Sequence, residues 1–280
     1  MNARSVLITG CSSGIGRAIA ETLHRRGWRV FASVRQSQDV APLTTAGMEA
    51  LPLDLSSTGS IAAAVAQVFD RTGGRLDALV NNGAYGQPGA VEDLSRDTLR
   101  AQFEVNVFGT QELTNLVLPV MRAQQRGRIV QISSLLGFVS LAYRGAYNAS
   151  KYALESLTDT MRLELRGTGI HVSLIEPGPI TSRFRENAYR AFLANIEREK
   201  SAHREYYRRV EARLGGTKPL PFTLPAAAVA DKVVHALEAA RPRVRYPVTV
   251  PAHFFSAAKR ALPDRLMDRM LLAVTGGGKR

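Results

Sequence analysis

The amino-acid sequence predicts an α/β fold, a doubly wound parallel sheet with helices on both faces. Two observations carry that expectation. Short apolar runs alternate with segments of helical periodicity through the first 182 residues. Several of those runs are apolar throughout, as strands covered on both faces of a sheet must be. Ser5–Thr9 reads as a buried strand, and Ile15, Ile19 and Leu23 then recur at four-residue spacing on one helix face. Arg29–Val34 forms a second strand and Ala50–Leu53 ends a third, before a helix over Ile61–Phe69 and a fourth strand at Ala78–Asn81. A helical stretch from Ser95 to Gln125 is interrupted near Gly109 and Pro119. Arg128–Ser133 and Val172–Glu176 read as strands, with a helix over Tyr147–Leu165 between them.

The remaining residues, 183–280, break this rhythm, being helical, basic and rich in proline. The expected organisation is a single domain over 1–280, with a sheet-forming core at 1–182 and a helical covering segment and basic extension at 183–280. Composition agrees with a water-soluble globular chain: 45% hydrophobic and 22% charged residues. The sole cysteine, Cys11, excludes an internal disulfide and fits a reducing compartment. The chain opens Met1-Asn2-Ala3-Arg4 and enters an apolar strand at once, so no signal peptide is expected and a cytoplasmic location is. The net charge is +13; residues 1–182 hold 17 basic against 15 acidic side chains, residues 183–280 hold 20 against 9. No zinc-finger spacing, aromatic RNA-binding motif or helix-turn-helix pattern accompanies the charge, so nucleic acid is not an expected partner. His24, His171, His203, His235 and His253 show no ligand spacing, so no metal is expected either.

Two groups of residues carry chemistry. Thr9-Gly10-Cys11-Ser12-Ser13-Gly14-Ile15-Gly16 lies where the first strand meets the first helix. Glycines there permit a tight turn and let backbone approach a pyrophosphate, which rests on the positive end of the helix. Tyr147 and Lys151 lie four apart and share one helix face. A phenol is a poor acid–base group at neutral pH, and a nearby ammonium favours its ionised form. Ser134 stands thirteen residues before Tyr147 at the carboxyl end of a strand, the edge at which open α/β sheets bind ligands.

With these residues placed, residues 4–182 resemble the short-chain dehydrogenase/reductase family, and the fold is then of Rossmann type. The turn Thr9–Gly16 fits the family's Thr-Gly-x-x-x-Gly-x-Gly form, Asn81-Asn82-Gly83-Ala84 fits its Asn-Asn-Ala-Gly turn with the last two residues exchanged, and Asn106, Ser134, Tyr147 and Lys151 fit its catalytic set. The resemblance implies a cofactor held by Gly10, Ser12, Ser13, Gly14, Ile15, Gly16, Asp54, Leu55, Asn81, Gly83, Tyr147, Lys151, Pro177, Gly178, Ile180 and Thr181. It also implies that Ser134 polarises a substrate carbonyl, Tyr147 exchanges the proton, Lys151 lowers the tyrosine pKa and bonds the nicotinamide ribose, and Asn106 holds a relay water. The hydride chemistry is the cofactor's.

Cofactor choice can be read from the end of the second strand. An acid there bonds the ribose 2′-hydroxyl of NAD; this chain has Val34 followed by Arg35, whose guanidinium suits a 2′-phosphate, so NADP(H) is expected. A non-catalytic cofactor-binding regulator of the same fold is the rival reading, though such relatives usually lack the tyrosine or lysine. After Thr181, apolar stripes at Tyr189, Phe192 and Ile196, and at His203, Tyr207, Val210 and Leu214, predict a lid with an apolar underside over a hydrophobic carbonyl or alcohol, which the resemblance implies is steroid-, retinoid- or acyl-like. Phe254, Phe255, Ala258, Leu262, Leu266, Met267 and Met270 form a further stripe beside Lys259, Arg260, Arg265 and Arg269; packing on the body or a second subunit competes there with peripheral membrane contact. A homodimer or homotetramer through the long helices, with Leu154, Leu157, Thr158, Met161 and Leu165 on the second of them, is expected from the resemblance.

Overall fold

The computed structural model describes residues 3–214 and 220–274. Seven parallel strands, β1 Ser5–Ile8, β2 Arg29–Val34, β3 Glu49–Pro52, β4 Ala78–Asn81, β5 Gly127–Ile132, β6 Ile170–Glu176 and β7 Arg245–Pro247, form one sheet in the order β3-β2-β1-β4-β5-β6-β7. The order reverses direction between β1 and β4, and right-handed crossovers on either side of that point put helices on both faces. Alternation along each strand decides which face each side chain serves. Val6, Ile8, Val30, Ala32, Val80 and Val130 join one core beneath helix α1 (Gly14–Arg25) and helix α9 (Ala227–Glu238). Leu7, Phe31, Leu79, Ile129 and Val172 join the other, beneath α3 (Thr58–Thr72), α5 (Thr110–Ala123) and α6 (Gly145–Glu164).

The helical stretch at 95–125 resolves into α4 (Arg96–Phe103), a π-helical turn at Glu104–Gly109, and α5. Pro119 lies inside α5 without ending it. The wide turn is therefore the real interruption, and π-helical turns of this kind occur often at functional sites. A short helix, α2 (Val40–Thr45), joins β2 to β3; its six residues give too little periodicity to read from sequence.

Residues 183–280 depart from expectation in two ways. First, the sheet does not end at residue 182: β7 pairs in parallel with β6, and α9 packs against α1 through Val229, Ala230, Val233 and Ala236. The three-residue strand is hidden because it ends in a proline, Pro247, and no alternation fits in so short a run. Second, the stripes of α7 (Phe184–Asn195) and α8 (Arg204–Leu214) pack on the body. Phe192, Ile196 and Tyr207 are buried with Ala90, Leu94 and Ala146, and Tyr189 packs beside them. The side chains of Val210 and Leu214 lie outside the described residues. Polar bonds fasten the same helix: the Ala90 amide donates to the Tyr207 hydroxyl at 2.8 Å, and both Ser201 and Tyr207 donate to Asp93.

Helices α10 (Val250–Ala261) and α11 (Asp264–Val274) bury Phe255, Ala258 and Met267 against Leu135 and Val139, the loop that follows β5. Packing on the body thus accounts for most of that stripe, Leu262 and Met270 included, while Phe254 and Leu266 remain exposed. Among the described residues no helix is long and apolar enough to cross a membrane. On α6, Leu154, Thr158, Met161 and Leu165 are buried, so packing within the chain explains that face; only Leu157 of the set is exposed.

Candidate active site

The carboxyl ends of β1, β4, β5 and β6 meet at one edge, and each delivers part of a single site. From β1 the chain turns through Gly10 to Gly16 into α1. Gly16 admits no side chain: a Cβ would stand 2.2 Å from the Gly10 carbonyl oxygen and 2.5 Å from Asn82 Nδ2. The N-cap residue of α1, Ser13, makes no side-chain bond to the first turn, and that turn holds no acidic residue. Its amides are available to an anion, with the helix dipole behind them. The Cys11 amide donates to the Ser33 carbonyl at 2.8 Å, which ties this turn to the end of β2, where Arg35 follows, exposed. Ser12 is likewise exposed. Cys11 itself is fully buried and burial raises its thiol pKa strongly, so it fills space and is no nucleophile.

The turn after β4 places Asn81 and Asn82 on opposite faces of the sheet. The Asn81 side chain points away from the glycine turn, into the helix layer, where it donates to Thr114 at 2.9 Å. Its neighbour Asn82 does the clamping. Asn82 Nδ2 donates to the carbonyls of Thr9 at 2.8 Å and Gly10 at 3.2 Å, while the amides of Asn82 and Gly83 donate to Thr9 Oγ1 at 2.9 and 2.8 Å. Strand alternation is the missed signal: Asn81 follows Val80 and must face opposite to it. Asp54 and Leu55 follow β3; Asp54 accepts from the Ser56 amide and hydroxyl, and Leu55 is buried.

From β5 comes Ser134, whose hydroxyl accepts from the Leu136 amide at 3.0 Å. Tyr147 and Lys151 stand one turn apart on α6, both buried. Burial pushes the Tyr147 hydroxyl up to about 12, offset in part by the nearby Ser134 hydroxyl and the Arg144 guanidinium. Burial pulls Lys151 down to about 8, opposed by the Glu155 carboxylate. The Lys151 ammonium donates to the Ile132 carbonyl at 2.7 Å and lies over the tyrosine ring, 5.8 Å from its centroid. In this arrangement Arg144, not Lys151, is the cation that offsets the burial of the phenol. Asn106, carried by the π-helical turn, is 1% exposed. Its amide donates to the Tyr85 carbonyl at 3.0 Å and Ser150 Oγ at 3.1 Å, and its oxygen accepts from the Tyr85 amide. Ser150 donates in turn to the Tyr147 carbonyl at 2.8 Å, so Asn106 braces α6 below the tyrosine.

After β6, Pro177, Gly178, Ile180 and Thr181 form the remaining wall. The Pro177 carbonyl accepts from the Leu135 amide at 2.8 Å, and Ile180 and Thr181 are bound by Leu224 through a short parallel bridge. Sequence reasoning missed Phe184. Its ring meets Tyr147 edge-on, centroids 5.3 Å apart, and sits where a Cβ on Gly86 would come within 2.7 Å of it. No periodicity marks Phe184, because it is the first residue of its helix. Among the described residues no group of histidine, cysteine and carboxylate side chains is placed to hold a metal.

The family profile described as short chain dehydrogenase matches residues 4–191. The chain belongs to that family, one of oxidoreductases. It is 41% identical to the oxidoreductase YbbO of Escherichia coli strain K12, over 96% of this chain and 94% of the relative. It is 32% identical to the NADPH-dependent 3-dehydrocapnine reductase of Ornithobacterium rhinotracheale (95% of each) and 34% identical to the mouse 17-beta-hydroxysteroid dehydrogenase type 6 (97% and 88%). A short-chain dehydrogenase structure from Streptomyces avermitilis superimposes with a TM-score of 0.79 at 32% identity, covering 96% of this chain and 95% of that one. A Burkholderia phymatum short-chain dehydrogenase/reductase in complex with NAD gives 0.77 at 26% identity, over 92% of each.

The Asn82 clamp can be tested without any ligand. Asn82→Ala leaves two turn carbonyls without their donor, an expected cost of about 1–3 kcal/mol. A lower urea midpoint with an unchanged denaturant slope is the expected result.

Proposed function

We propose that this protein is an NADP(H)-dependent oxidoreductase that transfers a hydride between the nicotinamide and the carbonyl or alcohol carbon of a hydrophobic small molecule. The observation that supports this best is the meeting of Ser134, Tyr147 and Lys151, all buried, at the sheet edge that also carries the uncapped first turn of α1. The residues present fit the dinucleotide: backbone bare of side chains at Gly16, free amides at Gly14 and Ile15, and a guanidinium rather than a carboxylate after β2. Gly10, Ser12, Ser13, Arg35, Asp54, Leu55 and Gly83 would line its adenosine half, and Pro177, Gly178, Ile180 and Thr181 its nicotinamide half. When bound, the nicotinamide supplies or accepts the hydride. Ser134 holds the substrate oxygen, and Tyr147 gives it a proton in reduction or takes one in oxidation. Lys151 would bond the ribose of the bound cofactor and presents positive charge to the tyrosine as it loses its proton.

Phe184 supports an apolar substrate, since it places an aromatic edge beside the tyrosine and no charged side chain. The relative named a 17-beta-hydroxysteroid dehydrogenase supports a steroid-like compound, and the substrate proposed is steroid-, retinoid- or acyl-like. The reading includes a cytoplasmic location and assembly as a dimer or tetramer across the outward faces of α5 and α6, where Leu116, Leu157 and Leu163 are exposed.

Three outcomes are expected. Tyr147→Phe lowers turnover roughly 10²–10⁴-fold in an NADPH absorbance assay while NADPH affinity stays close to wild type; near-normal turnover would overturn the assignment. Arg35→Asp replaces a charge-assisted phosphate contact by repulsion and reverses the NADPH-to-NADH ratio of kcat/KM by roughly 10–100-fold. Equal use of both cofactors by the wild type would refute that choice. With straight-chain aldehydes, kcat/KM climbs with length by at most about 0.8 kcal/mol, or roughly fourfold, per methylene; a flat series would count against an apolar substrate.

A further inference from the structure

One turn beyond Lys151 on the same face of α6 stands Glu155, 7% exposed. Across from it, at the end of β6, lies Glu176, 2% exposed. Arg245 of β7 reaches between them: it donates to Glu155 at 3.1 Å and to Asp159 at 2.6 Å, and lies 3.7 Å from Glu176. The Ser133 hydroxyl approaches Glu155 without closing a well-aligned bond, and Glu155 Oε1, Glu176 Oε2 and both polar atoms of Gln131 have no partner. The hydride mechanism uses none of these groups.

Strand alternation explains why they meet. Ile129 and Val172 belong to the core beneath α6, so Gln131 on β5 and Ser133 just beyond it, Glu176 on β6, and Arg245, which pairs with Leu174, share that face. The layer is apolar towards the amino ends of the strands and polar towards the carboxyl ends, and Lys151 stands at its upper margin with its ammonium on the Ile132 carbonyl. The charged groups facing Glu155 are Lys151 and Asp159 on its own helix, Glu176 on β6 and Arg245 on β7. Arg162 binds Asp159 at 3.2 Å, and Arg260 of α10 acts on Glu176. Three carboxylates therefore surround one half-buried guanidinium. Burial holds the Glu155 carboxyl at about 7, against the pull of Ser133 and Arg245; burial and repulsion by Glu155 hold Glu176 at about 7.

We propose that Glu155 is a positioning residue for the reaction: it is the countercharge that keeps Lys151 cationic inside the protein, and the Glu176–Arg245 pair behind it governs how much of that charge Glu155 carries. The ion pairs alone would also brace β7 against α6, a purely structural task. What separates the two is proton affinity at Lys151. A brace leaves it where burial puts it, whereas a countercharge raises it. The proposal rests on the reading that Lys151 acts with Tyr147, but it can be read at the lysine without turnover.

The test uses the full-length protein labelled with ¹³C-lysine. The Lys151 Cε resonance, identified by its loss in Lys151→Met, is followed from pH 6 to 11. In Glu155→Gln the Lys151 midpoint is expected to fall by about one pH unit or more, since a neutral amide cannot stabilise the ammonium; Glu155→Asp should restore most of the difference. Glu176→Gln is expected to lower it by a smaller amount, because a carboxylate is lost from the cluster and the freed Arg245 guanidinium neutralises more of Glu155. A Lys151 midpoint unchanged in Glu155→Gln, with only the melting temperature lowered, would overturn the proposal and leave a brace. Should Glu155→Gln fail to fold, a Lys151 midpoint unchanged in Glu176→Gln would overturn it equally. Near-normal turnover in Tyr147→Phe would sink the catalytic assignment while leaving these titrations as they stand.

Discussion

Parallel alignment of β1, β4, β5 and β6 is the constraint on which the rest of the molecule depends. Because every crossover returns to the same end of the sheet, residues more than 150 apart in the chain, from Gly10 to Thr181, arrive at one edge. The alignment also sorts the side chains. On the α6 face, Leu79 and Ile129 are followed two residues later by Asn81 and Gln131, so the layer turns polar where the strands end. A buried lysine can be tolerated at that margin because a strand carbonyl, that of Ile132, is free to accept from it.

The second half of the chain closes the site from the side that the strands leave open. Leu224 binds Ile180 and Thr181, Leu135 packs against Phe255 and Met267, and Phe184 leans on Tyr147. These contacts divide the tail's apolar residues between two tasks. Phe192, Ile196 and Tyr207 hold α7 and α8 to the body. Phe184 alone among the aromatic residues of α7 touches the reacting tyrosine, and the missing side chain at Gly86 makes room for it. Anchoring and lining are thus done by different residues of the same helix.

What could be read from the sequence follows from the range of the interactions. The glycine turn, the Tyr147–Lys151 spacing and most strands are local patterns, set by the period of a helix or by a strand's alternation, and they were legible. The clamp made by Asn82 was less legible, since it depends on alternation aiming the Asn81 side chain at Thr114 and that of Asn82 at the glycine turn. The strand β7 was not legible, since three residues ending in a proline show no period, and its place is fixed only by pairing with β6. Glu155, Glu176 and Arg245 lie up to 90 positions apart; nothing local marks three charged residues as one cluster when only the sheet register brings them together.

The buried charges also set how stability answers to pH. Lys151 binds its proton less tightly folded, at about 8, than in an unfolded chain, where the ordinary lysine value of about 10.4 applies. Between those values the unfolded chain holds more protons, so this group's contribution to stability rises with pH across that window. Glu155 and Glu176, both at about 7 folded, run the other way. From the ordinary carboxyl value of about 4.3 up to 7 the folded chain holds more protons, and their contribution falls as pH rises. Near pH 7 to 8 the carboxyls have lost that contribution and the lysine has not yet gained its own. The fold is therefore opposed by these three groups in the very range where a buried ammonium is useful beside a tyrosine, and the apolar layers on both faces of the sheet must offset them. Arg245 limits the opposition, because one guanidinium shared among Glu155, Asp159 and Glu176 lowers the cost of charging any of them.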